Sequence, residues 1–144
     1  WPEAIAVYAR GLGAAHLGRA DEAGAAAARL EALETTARNS GEELFARNIR
    51  VLRLEIEGWI AQGAGDSDKA IERLEAAAEL ETNTPKHAVT PAPTLPAYEL
   101  LGDLRLAQDQ PEKALAAYRR SLEFYPNRAN SLRGVAEAEK AVKQ

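Results

Sequence analysis

One spacing constrains this chain more than any other. A glycine is followed seven positions on by a turn residue and twelve positions on by an alanine, and this happens three times: Gly11, Gly18, Ala23; Gly58, Gly65, Ala70; Gly102, Asp109, Ala114. Each alanine also has an acidic residue two places before it, at Asp21, Asp68 and Glu112. A small residue in each of two successive helices lets them approach closely, and a short polar turn between them makes them antiparallel. The sequence therefore predicts repeated helical hairpins.

Composition agrees. Of 144 residues, 31 are alanine, 17 leucine, 17 glutamate and 13 arginine, all strong helix formers. Regular apolar–polar alternation is scarce, which argues against a large sheet. The length suits one domain, with no need of a disulfide or metal to hold its core. No cysteine is present, which excludes disulfides, thiolate zinc sites and thiol nucleophiles. A net charge of −4 and a pI near 5.3 argue against sequence-independent nucleic-acid binding, which needs a basic surface. No run approaches the ~18 apolar residues of a membrane span. The lack of cysteine suits the cytoplasm and the periplasm equally, so the compartment stays open. The sequence starts at Trp1 and has no methionine, and so reads as a fragment of a longer protein.

Apolar periodicity and helix punctuation predict seven helices. Pro2 opens the first, which stops at Gly18. The next three cover about 21–38, 42–62 and 66–80, the last capped by Asp66. Proline-rich residues 82–95 form an irregular loop. Pro96 and Pro111 open the fifth and sixth helices. The seventh starts near Arg128, and its Arg133, Glu137, Glu139, Lys140 and Lys143 read as the polar outer face of a cap that ends the stack.

In the third copy, Tyr98, Leu101, Gly102, Ala114, Tyr118 and the closing Pro126 follow one pattern. It resembles that of the tetratricopeptide repeat. The first two copies depart from it: Thr35 and Thr82 replace the closing proline, and Arg10 and Glu57 replace the leucine. Ala14, Ala61 and Arg105 stand where the family places a tyrosine. The resemblance implies an all-α superhelix of three hairpins, at about 4–39, 42–82 and 96–127, with a capping helix over 128–142, all in one domain of residues 1–144. The glycine spacings, 47 and 44 residues, exceed the family's 34. The first excess falls around 38–43 and should lengthen both flanking helices by about six residues each, an arm of roughly 10 Å. The second is the proline-rich loop. Residues 84–103 are also similar to the C-terminal part of longer, uncharacterised bacterial tetratricopeptide proteins, which implies a bacterial source and no particular activity.

In this family the groove positions lie three before and one and four after the first-helix glycine. The resemblance assigns them to Tyr8, Leu12 and Ala15; Glu55, Trp59 and Gln62; Glu99, Asp103 and Leu106; His16 adjoins the first set. This predicts a groove aromatic at one end and acidic at the other, suited to a basic or apolar peptide or protein segment. The same positions carry no base, so the acidic tails of heat-shock chaperones are not expected partners. The competing reading buries Tyr8 and Trp59 in the stack and leaves the carboxylates as a solvated face.

Catalysis has little support: Glu55 and Glu99 could pair as acid and base, but carboxylates are abundant in this chain and the sequence does not give their separation. His16 and His87 are far apart in sequence, the serines lack a nucleophile elbow, and no strand precedes a glycine-rich loop. No cofactor or metal site is expected. Lys86 and His87 stand out in the proline-rich loop, which is either a plain connector or an ordered segment lying against Glu99 and Asp103. The leading expectation is a non-enzymatic interaction module. The alternatives are a purely structural C-terminal stack of a longer solenoid, and an accessory domain to an unseen catalytic domain.

Overall fold

The computed structural model describes residues 1–86, 88 and 94–144. Among these the chain is entirely helical, in the order α1 (Pro2–His16), α2 (Ala20–Asn39), α3 (Glu43–Gly63), α4 (Ser67–Thr82), α5 (Ala97–Ala107), α6 (Pro111–Phe124) and α7 (Ala129–Val142). Pro2 and Pro111 sit in first turns, where a missing N–H costs nothing. Asp66 caps α4 by accepting a 3.1 Å hydrogen bond from the Lys69 amide.

The repeated turn residue has a backbone reason. Gly18, Gly65 and Asp109 have φ of 71°, 81° and 56°, the left-handed region in which a helix C-terminus commonly closes. One residue further on, the amides of Arg19, Asp66 and Gln110 each donate a 2.9 Å bond back to the carbonyls of Ala14, Ala61 and Arg105. Three identical turns thus reverse the chain, pairing α1 with α2, α3 with α4 and α5 with α6. Gly41, with φ of 78°, closes α2 in the same way.

Each even-numbered helix also packs against the next odd one, and α1, α3, α5 and α7 touch in succession. Among the described residues, no two even-numbered helices meet. The main core gathers Leu12, Leu30, Leu52, Ile56, Leu74 and Leu104, and a second cluster holds Val51, Leu54, Ala77, Ala78 and Ala97.

The repeated small residues lie at the closest approaches. Gly11, Gly58, Gly102, Ala23, Ala70 and Ala114 are all buried. A Cβ on Gly11 would stand 2.5 Å from Ala26 Cβ and 2.6 Å from Ile56 Cδ1. At the third hairpin the Tyr118 ring is held between two glycines. A Cβ on Gly102 would come within 2.6 Å of it, and one on Gly134 within 2.4 Å. Gly134 is a fourth copy of the first-helix glycine, 32 residues after Gly102, so α7 occupies the place of a further first helix.

The long connection between the first two copies is helical, with α2 reaching 20 residues and α3 reaching 21. Trp1 lies over this extension, its ring 5.9 Å from that of Phe45. The outer face of α7 differs from expectation. Leu132 and Val142 are exposed there beside the charged residues, so it is not a uniformly polar cap. Among the described residues, no helix is long and apolar enough to cross a membrane.

Candidate functional site

The position three before each first-helix glycine runs across the stack as Tyr8, Glu55, Glu99 and Ser131. All four are buried, at 1%, 0%, 2% and 0% exposure. The expectation that Tyr8, Glu55 and Glu99 line an open groove therefore fails, as it does for the buried Leu12; Ala15 is also buried but borders the Trp59 cleft described below. The physical reason is the close contact of the odd-numbered helices, which leaves no open channel between them at this level.

This row of buried polar groups is satisfied at one end and unsatisfied at the other. At the α7 end, the Arg128 guanidinium donates to both Glu99 oxygens at 2.7 and 3.0 Å, and the Ser131 hydroxyl donates to the same carboxylate at 2.6 Å. Arg128 therefore already occupies the acidic position reserved for a basic ligand. At the α1 end, the Tyr8 hydroxyl and both Glu55 carboxyl oxygens are buried without a well-formed hydrogen bond, and the two side chains lie close enough to act on each other. Burial pushes the Glu55 carboxyl well above the usual range; the Tyr8 hydroxyl opposes this and the Glu81 charge adds to it. Burial likewise raises Tyr8, and Glu55 and Glu81 raise it further.

Glu81, at the end of α4, was not singled out from the sequence, yet it connects this row to the surface. Its carboxylate accepts from the Ala97 amide at 3.1 Å and from the Tyr125 hydroxyl at 3.3 Å. Burial lifts its pKa to about 7, against the pull of those two donors and of Lys86 and Arg128. Glu81 lines a cleft with Trp1, Asn48, Val51, Lys86 and Tyr125. The Lys86 ammonium lies 4.5 Å above the centre of the Tyr125 ring. The start of the proline-rich segment is thus docked on the stack, but beside Tyr125 and Glu81 rather than against Glu99 and Asp103. Thr84 is buried there and its hydroxyl donates to the Leu80 carbonyl at 2.6 Å. His87, Val89, Pro91 and Pro93 lie outside the described residues.

The remaining predicted positions lie nearer the hairpin turns. His16 is exposed and its ring lies 4.2 Å from that of Trp59, so α1 and α3 bring these two together. Partial burial lowers the His16 pKa. Trp59 is half-buried and its indole N–H has no partner. It lines an apolar cleft of about 120 Å³ with Ala15, Gly18, Ala20, Ile60 and Ala64. Leu17, 69% exposed, follows His16 directly. Gln62 accepts a 2.9 Å bond from the Gln108 amide group, joining the second and third hairpin turns. Asp103 is exposed and accepts a 2.6 Å bond from the Tyr118 hydroxyl. Desolvation of its carboxylate raises its pKa; the Tyr118 bond opposes the rise, and Glu99 and Glu137 add to it. Leu106 is half-buried against the Tyr118 cluster.

These groups gather at two clefts: the His16–Trp59 cleft near the turns, and the Glu81–Tyr125 cleft near the other helix ends. Among the described residues no three metal-ligating side chains converge. The chain matches no family model and no curated protein.

Proposed function

We propose that this chain is a tetratricopeptide-like superhelix and a non-enzymatic interaction module, which binds a peptide or protein segment along the face made by its odd-numbered helices. Contact among odd-numbered helices without contact among even-numbered ones supports a stack curved toward the odd side. The observation that carries the binding reading is the His16–Trp59 pair. Two aromatic rings from different hairpins meet at the surface, beside an apolar cleft of side-chain size and the exposed Leu17. An apolar side chain fits the cleft, and the exposed Asp103 favours a basic residue further along.

Peptides selected from a random display library against the whole chain test this. The reading expects selected sequences to carry an apolar anchor and to shift the Trp59 indole and His16 resonances in an amide correlation spectrum. Selected binders that leave both resonances unmoved would contradict it, as would a failure to select any sequence, the result expected of a purely structural stack.

A further inference from the structure

The second cleft has a chemistry of its own. Its walls are the aromatic rings of Trp1 and Tyr125, and one side carries the Glu81 carboxylate. Val51 on the same wall is one helical turn before Glu55, the buried carboxyl without a well-formed hydrogen bond. Among the described residues, the cations acting on Glu81 are Lys86 and Arg128. Glu55, Glu81 and Glu99 are the nearby carboxyls, and the Arg128 guanidinium is committed to Glu99 through two bonds. Among the described residues that line the cleft, the one cation is Lys86, an exposed side chain resting on the Tyr125 face. Glu81, raised to about 7, is part-protonated at neutral pH, so an added cation has a carboxylate to stabilise.

The geometry points to a lysine-binding subsite: we propose that the Glu81–Tyr125 cleft receives the side-chain ammonium of a lysine in a bound peptide, at the place where Lys86 rests in the free chain. The inference rests on the interaction-module reading. The group that rests on the Tyr125 face in the free chain is itself an ammonium, which favours an ammonium ligand there. Tyr125 supplies the π face and Glu81 the counter-charge, while the walls of Trp1 and Val51 cover the aliphatic stem. Lys86 then acts as an intramolecular competitor that a stronger ligand displaces.

The test is an amide-correlation titration of the whole chain with the capped tripeptide Ala-Lys-Ala. Parallel titrations use its acetyl-lysine and arginine counterparts and 1,4-diaminobutane. The proposal expects the lysine peptide to shift Trp1, Lys86 and Tyr125, and the neutral acetyl-lysine peptide to leave them unmoved. Glu81→Gln, which keeps an acceptor for the Ala97 amide, should weaken binding about tenfold. Lys86→Ala should strengthen it about threefold by removing the competitor. Equal binding of the acetyl-lysine or arginine peptide would overturn the ammonium assignment, and equal binding of the diamine would overturn a peptide source. Shifts confined to His16 and Trp59 would overturn this subsite and leave the interaction module standing. No shift at Trp1, Lys86 or Tyr125 would overturn the subsite, whereas the interaction-module reading is tested separately by the selected peptides.

Discussion

Arg128 and Glu99 form a two-bond ion pair, 2.7 and 3.0 Å, that ties the entry of α7 to α5. Glu99 is almost wholly buried, so this pair sets a desolvated carboxylate against its only guanidinium partner. Removing one member leaves the other charge uncompensated, which is where the cost arises. Arg128→Ala should therefore destabilise the chain by about 3–5 kcal/mol. The double change Arg128→Met with Glu99→Leu should recover most of that loss. Chemical denaturation of the single and double variants checks both numbers; an Arg128→Ala cost under about 1 kcal/mol would mean the pair behaves as a surface bridge.

The glycines within helices separate into two classes. At Gly134 an added Cβ meets the Tyr118 ring at 2.4 Å, and Gly102 faces the same ring from α5. Gly134→Ala and Gly102→Leu should each cost about 1–3 kcal/mol through overpacking. Gly13 and Gly24 lie inside helices with nothing within 4 Å of an added Cβ. Alanine there should stabilise by roughly 0.5–1 kcal/mol. Thermal melts of the four variants read the contrast.

The pH dependence follows from Glu81 and Glu55. Both have folded-state pKa values above the ordinary 4.5, Glu81 at about 7. The native state thus binds more protons than the unfolded chain between these limits, and stability falls as pH rises. Glu81 accounts for up to about 3 kcal/mol of that fall between pH 4.5 and 7, and Glu55 extends it upward. Denaturant midpoints should be higher at pH 5 than at pH 8, and Glu81→Gln should flatten the slope. A midpoint that rises with pH across this window would contradict the assignment.

The helical architecture was legible because its signals are local. Prolines at Pro2 and Pro111, the Asp66 cap and the left-handed turn residues act within a few positions, and each lies at or beside the helix end it marks. The site was less legible. Glu55 and Glu99 stand where the repeat resemblance assigns a groove, but whether a carboxylate there faces solvent depends on how closely neighbouring helices pack. It also depends on Arg128, 29 residues from Glu99. Glu81 and Tyr125 meet across 44 residues of sequence, a pairing that no single-segment pattern encodes. Gly134 and Ser131 did carry a readable signal, a further glycine 32 residues after Gly102 with a small polar residue three before it. His16 and Trp59 were both assigned to one groove by the repeat alignment, but their ring contact was not read from the sequence.

Binding of a selected peptide, compared between the natural chain and the variant Trp59→Ala with Asp103→Lys, tests the central claim most directly. Trp59 presents a half-buried aromatic anchor beside its cleft, and Asp103 an exposed charge two helices away from His16. The account predicts at least about tenfold weaker binding by calorimetry, as expected when an aromatic hot spot is truncated, with the helical circular-dichroism signal unchanged. Unchanged affinity in a folded variant would contradict it.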